Sequence, residues 1–280
     1  TPEDKQEQEA LEAFCRRRIM VGDLFKNLGQ TAQLQLIELT AAALSEEEES
    51  NIGAQIHTRI VAAAPDKIDT DPETVRYLNA LLDRMKPHLK REGLQWQVHV
   101  VDAPEVLNAI STSGGYIYFY TGLLDQIENE AQLVGVLAHE VAHHELRHTR
   151  TIYQYLKALG LWADDTLSDS AELDFMVLLT LPMRSHQEEE ADTFAAEILF
   201  KLGYSPLETV ALMAHMEQFD VEVEVKGSFG NFLLREALHV LNTHPLSRLR
   251  ACDLMAEVKL RQGWGEKVGV ENWKKRQVME

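Results

Sequence analysis

Three things are scarce in this chain of 280 residues: cysteine, long apolar runs and positive charge. The two cysteines, Cys15 and Cys252, stand near opposite ends with no CxxC between them. They are either two buried thiols or one disulfide tying the ends together, and cysteine usage leaves the compartment open. The longest apolar run, FMVLLTLPM at 175–183, is half of the roughly 18 residues a membrane span needs. It suits a core or a groove wall, and no transmembrane segment is expected. Lysine and arginine number 27 against 45 aspartates and glutamates, a net charge of −18. Nothing here would replace the counterions condensed on a phosphate backbone, so no nucleic-acid partner is expected. No Pro/Gly/Ser-rich linker divides the chain, and no repeat recurs at a solenoid period. The chain opens at Thr1 rather than methionine, which leaves room for a leader or anchor outside it.

What is present is enough apolar residue, 45%, to fill a sizeable core. Helical periods dominate. Residues 4–26 are charged and amphipathic, and a second long helix is expected over about 31–63, interrupted or capped near Ser45, where SEEE has the form of a capping box. The run EEEE at 46–49 reads as a solvated helix face. DPETVRYLNALLDRMKPHL reads as a helix to about 90, after which WQVHVVD (96–102) and GGYIYFYTG (114–122) alternate like strands. Helical periods then return. The expected fold is mainly α with a small β-sheet, laid out as an N-terminal helical arm (1–44), one domain (45–260) and a C-terminal tail (261–280).

The stretch VLAHEVAHHELRHT (136–149) holds four histidines and two glutamates. On a helix His139 and His143 lie one turn apart on one face, where two imidazoles can take one tetrahedral zinc. Glu140, at the edge of that face, can reach a metal-bound water as general base. A chance HExxH arises in roughly one chain in twenty-five of this composition, so a third ligand has to be found. The metzincin sequel fails, because Leu146 and Thr149 occupy the positions of its glycine and third histidine. On the same helix His144 and His148 point about 100° and 140° around from His143, away from the metal face, which makes them structural or solvent-facing. A gluzincin needs a glutamate on a separate helix with an acid one turn later. RSHQEEEADTFAAEIL supplies Glu188 as third ligand and Asp192 to fix a histidine tautomer, with Glu189 and Glu190 left to solvent.

With these motifs in order, the sequence resembles the HtpX and CAAX-prenyl-protease family of metallopeptidases (family forty-eight). SEEEESNIGAQI resembles the family's acidic helix leading to a glycine. NAISTSGGYIYFYTGLL resembles its Asn-Ala strand, double glycine, second strand and Gly-Leu-Leu turn. ENEAQLVGVLAHEVAHHELRH, EEEAD and NTHPLSRLR resemble the metal helix, the third-ligand segment and the Ser/Thr-His-Pro segment. One position departs: the family often carries Ser-Arg a few residues before the glutamate ligand, where this chain has Arg184-Ser185.

The resemblance implies a gluzincin zinc endopeptidase with one Zn2+ per chain, acting on unfolded or damaged polypeptides. Its soluble branch suggests the periplasm or cell envelope. It also implies that Gly115, Tyr116, Ile117 and Tyr118 form an edge strand to which a peptide adds. Asn108 would bond the peptide backbone, His244 would face the zinc as an oxyanion donor or a fourth ligand, and Arg250 would pair with an acid or steady the site. The alternatives are a zinc-containing chaperone-like protein with little proteolysis, and a structural zinc module closed by His244 or His186. His57, His88, His99, His186, His215 and His239 are read as ordinary, and oligomeric state is left open.

Overall fold

The fold is taken from a computed structural model, which describes residues 9–13, 15, 45–149, 162–163, 166–167, 185–216, 248–260 and 266–275. Most of the expected arm, the apolar run at 175–183, His239 and His244 lie outside these residues. The helices are α1 (Glu46–Ala63), α2 (Pro72–Met85), α3 (Thr121–Gln126), α4 (Glu130–Glu145), α5 (Ser185–Leu202), α6 (Leu207–Met216), α7 (Arg248–Leu260) and α8 (Val270–Lys275). Strands β1 (Gln97–Val101), β2 (Ala109–Ser111) and β3 (Tyr116–Tyr120) make one sheet, and β4 (Trp162–Ala163) and β5 (Thr166–Leu167) a separate ribbon. Mainly α with a small sheet is therefore the observed class. The capping box also forms: Ser45 accepts from the Glu48 N–H while the Glu48 carboxylate accepts from the Ser45 N–H at 2.8 Å.

The strand expected at the cleft edge is instead the central one. The sheet order is β1-β3-β2, with β3 parallel to β1 and antiparallel to β2. Gly115, Tyr116, Ile117 and Tyr118 therefore have no free edge on which a peptide could add. The reason is legible in YIYFY: a strand apolar on both faces belongs inside a sheet. Ile117 and Phe119 enter the main core, while Tyr116 and Tyr118 pack on the opposite face. Among the described residues the unpaired edge next to β3 belongs to β2.

Helix α4 is buried on nearly every side, between Ile117 and Phe119 of the sheet, Leu78 and Leu81 of α2, and Ala195 and Leu199 of α5. The segment read as a tail joins this core. Trp273 is buried and donates from Nε1 to the Ile127 carbonyl at 2.7 Å. The Ala131 N–H, one of the orphan donors at the start of α4, bonds the Val268 carbonyl at 2.9 Å.

The acidic run on α1 is likewise not all solvated. Glu47 and Glu48 are exposed, but Glu49 is fully buried, 2.6 Å from Arg91. Arg91 also donates to the His144 carbonyl at 2.7 Å, closing the C-terminal end of α4. Gly53 lets α1 approach so closely because a Cβ there would lie 2.2 Å from the Ser113 carbonyl oxygen.

Behind the sheet the rings of His57 and His99 stack at 4.3 Å, His57 Nδ1 lies 3.0 Å from the Tyr118 hydroxyl, and His99 Nδ1 lies 2.8 Å from Asp69. Burial and the neighbouring His99 hold His57 below its ordinary value, with Asp69 opposing. The fold thus favours neutral His57, and its contribution to stability is full above the unfolded value of 6.5 and lost as pH falls below it. Urea midpoints should be lower at about pH 5.5 than at about pH 7.5, and His57→Gln should narrow that difference. Equal pH dependence in both proteins would show that His57 does not contribute to it.

Candidate metal centre and active site

The metal helix is fixed before its histidines are reached. Asn129 caps it, accepting from the Gln132 N–H at 2.9 Å, and buried Glu130 accepts from the hydroxyls of Tyr77 and Tyr204. Two turns on, His139 and His143 project together, with their Nε2 atoms 3.1 Å apart. Helix α5 packs across them so that the Glu188 oxygens lie 3.5 Å from His139 Nε2 and 3.5 Å from His143 Nε2. All three residues are buried, with their ligand atoms within 4.8 Å of one another. A tetrahedral zinc about 2.0–2.1 Å from each donor requires donors about 3.3 Å apart, close to the 3.1 Å between the imidazoles and the 3.5 Å from each imidazole to one of the two Glu188 oxygens. Two imidazoles and one carboxylate form the donor set of a catalytic zinc site with a fourth position for water.

Asp192, one turn beyond Glu188, lies 2.9 Å from His139 Nδ1. Arg250 from α7 meets both acids, with Nη1 2.6 Å from Glu188, and Nε and Nη2 donating to Asp192 at 2.9 and 2.8 Å. Burial lowers the His139 pKa, but hydrogen bonds to Asp192 and Glu188 outweigh it and push it up to about 10. A position that holds a proton so tightly favours a cation. Burial raises Asp192, yet Arg250 and His139 outweigh it and hold its carboxyl below the ordinary value.

His148 is placed differently from the expectation of a structural or solvent-facing ring turned away from the metal face. Helix α4 ends at Glu145, and Arg147 takes a left-handed φ of 65°. The chain folds back, so that the His148 N–H bonds the His143 carbonyl at 2.8 Å. The 140° projection fails because the helix stops before reaching it. His148 is buried, with Nδ1 3.0 Å from His143 Nδ1 and Nε2 3.3 Å from Glu190. When His143 offers Nε2 to a metal, its Nδ1–H can donate to His148, whose Nε2–H can donate to Glu190. Glu190, expected to be solvated, is thus half-exposed but partnered. His144 is structural, buried edge-on against Trp96, and burial and Arg91 push its pKa down to about 3.

Glu140 is 2% exposed, and the Ser111 hydroxyl lies 2.5 Å from its Oε2 and 2.8 Å from its main-chain oxygen. Sequence reading missed Ser111, whose only signal is its place on the strand before the double glycine. Asn108, His139, Glu140 and Arg250 line one cavity. His186 is exposed on the first turn of α5 and outside the ligand cluster, so it does not close the site.

Metal competition assays should rank four variants. Glu188→Ala should remove stoichiometric zinc, whereas Glu189→Ala, at an exposed position, should bind as the parent does. Asp192→Asn and His148→Ala should each weaken zinc about 10- to 100-fold by loosening a ligand. Zinc loss in the Glu189 variant with retention in the Glu188 variant would reverse the assigned helix register.

Comparison with known proteins agrees with this geometry. The profile of Peptidase family M48 matches residues 72–258. The chain is 28% identical over 183 residues to the mitochondrial metalloendopeptidase OMA1 of Schizosaccharomyces pombe, covering 63% of this chain and 51% of that one. It is 32% identical over 120 residues to the Arabidopsis thaliana protein of the same name, covering 41% and 24%. Against the Beta-barrel assembly-enhancing protease of Escherichia coli it is 23% identical over 228 residues, covering 76% and 44%. The chain spans about half the length, or less, of these curated relatives. On the family match and the ordered motifs, this chain belongs to Peptidase family M48.

Proposed function

We propose that the protein is a zinc-dependent endopeptidase that hydrolyses unfolded or damaged polypeptides. The observation that carries this reading is the buried Glu140, held by Ser111 beside the His139–His143–Glu188 cluster. Those three residues would hold one zinc per chain, which when bound supplies an activated water and a polarised carbonyl. Glu140 takes the water's proton and passes it to the leaving amine. Ser111 fixes the orientation of Glu140, and Asp192 and His148 fix the ligand tautomers. The products are two peptides, with no covalent intermediate on the protein.

The edge of β2, unpaired among the described residues, borders this cavity at Ala109 and suits an extended peptide held through its backbone, which favours unfolded chains over particular sequences. Asn108, the residue just before that strand, would bond the peptide backbone. His244 is proposed from the family pattern as the oxyanion donor. Cys15 and Cys252 are joined as a disulfide, which supports an oxidising compartment such as the periplasm or cell envelope.

Glu140→Gln should keep zinc yet lose at least a hundredfold in casein hydrolysis, because the proton acceptor is gone. Wild-type cleavage by that variant would sink the mechanism. His244→Ala should keep zinc and cut kcat roughly a hundredfold to a thousandfold. Faster cleavage of a quenched peptide by that variant would make His244 a gate rather than a donor.

A further inference from the structure

Among the described residues, strand β2 meets the rest of the sheet on one side only. The Asn108 carbonyl accepts from the Tyr120 N–H at 3.1 Å, and the Thr112 N–H donates to the Tyr116 carbonyl at 2.9 Å. Ile110 pairs with Tyr118 between them. Bonding positions alternate along an antiparallel strand, so Asn108, Ile110 and Thr112 turn their backbone groups toward β3. Ala109 and Ser111 turn theirs toward the open edge. Side chains alternate as well. Ile110 enters the cluster of Tyr116 and Tyr118, and Ala109 lines the cavity with His139 and Glu140. The Ser111 hydroxyl lies 2.5 Å from Glu140 Oε2. Ser111 thus has its main chain on the open edge and its side chain on the base.

We propose that Ser111 is a positioning residue coupling the edge to the base, so that Glu140 is held most firmly in its working orientation when a peptide lies along β2. The proposal rests on the endopeptidase reading and names how that site is regulated, by the length of extended chain it receives. A peptide pairing with β2 bonds the N–H and C=O of Ser111. It thereby fixes the strand at the point from which the hydroxyl reaches Glu140. Strand β2 pairs with β3 over three residues, so a peptide on its other side adds main-chain bonding comparable to what already holds it.

The hydroxyl suits this task. It has one proton and two acceptors on Glu140, Oε2 at 2.5 Å and the main-chain oxygen at 2.8 Å. An ionised carboxylate is the stronger acceptor, so the bond goes to Oε2 and leaves Oε1 to take the proton. The nearby main-chain oxygen keeps Ser111 seated on α4 throughout. Binding energy that acts only on the way to the transition state raises kcat, whereas uniform binding lowers KM alone. Contacts on β2 relayed through Ser111 therefore show in kcat.

A short quenched peptide and an extended one with the same cleaved core separate these effects. With the full chain loaded with zinc, the extended peptide should have a kcat about tenfold higher, the scale of one hydrogen bond to a charged group. Ser111→Ala should bring the two kcat values together while zinc affinity and the KM of the extended peptide hold, because the main-chain bonds remain. Ser111→Thr keeps the hydroxyl and should restore the difference. Hydrogen exchange gives a readout apart from cleavage and needs no Ser111 variant. In zinc-loaded Glu140→Gln, the extended peptide should slow the amides of Ala109 and Ser111 more than the short one does.

An undiminished kcat difference in Ser111→Ala, or an equal loss on both peptides, would overturn the coupling and leave the peptidase reading intact. A fall in zinc affinity matching the fall in kcat would do the same, because the effect would then lie at the metal. Length that alters neither kcat nor the two amides would show that the edge goes unused, which also overturns it. No cleavage of either peptide by the parent protein would sink the peptidase reading itself.

Discussion

The arrangement depends on how three buried carboxylates are kept together. Glu140, Glu188 and Asp192 are 2%, 0% and 4% exposed, and ionised groups so far from water are strongly destabilising without compensation. Arg250 contacts two of them and supplies one positive charge. Counting the histidines as neutral, two negative charges remain, which a divalent cation balances. The same imbalance pushes His139 up to about 10. Helices α4, α5 and α7 meet here, and each brings part of the charge set: histidines and base, carboxylates, and guanidinium. Removing one partner leaves the others buried and unpaired, so packing and metal affinity are one constraint.

That constraint explains why the fold gives α4 so little freedom. A zinc site tolerates only tenths of an ångström in donor position. Tyr77 and Tyr204 anchor Glu130 at one end of the helix, while Arg91, itself paired with Glu49, holds the His144 carbonyl at the other. Buried polar groups of this kind are costly unless fully bonded, and here they set the helix position and direction. The sheet contributes less surface but places Ser111 against Glu140, so β2 serves both the base and the cleft edge.

Legibility in the sequence followed periodicity. His139, His143, Glu188 and Asp192 could be read because helical spacing alone puts each pair on one face, and the structure brings the two faces together. Glu49 and His148 were misread for complementary reasons. A charge run looks solvated until its partner, Arg91, is known to fold over it from 42 residues away. A helical wheel holds only while the helix lasts, and the left-handed turn at Arg147 ends it. The edge strand was misplaced because alternation identifies a strand but not its neighbours. YIYFY, apolar on both faces, was the available signal that it lies inside the sheet. Ser111 left no such trace, since a lone hydroxyl gains meaning only from what packs against it.

Two segments far apart in sequence, around residues 11–15 and 268–273, brace the same helix assembly. Cys15 is joined to Cys252 on α7, two residues beyond Arg250, and Leu11 packs with Ala251, Leu254 and Val258 of that helix and Ala196 of α5. A crosslink spanning 237 residues removes much of the unfolded chain's freedom, on the order of 5 kcal/mol in the chain-entropy picture. At the far end, residues 268–269 supply carbonyls to the first N–H groups of α4, and Trp273 covers Tyr77 and Ile127 beside them. The guanidinium that balances the buried acids and the helix that carries the histidines are thus each secured by one of these two segments. Removing either segment should therefore loosen the metal centre without touching a ligand, because the charge balance at Arg250 and the position of α4 both depend on contacts made far along the chain.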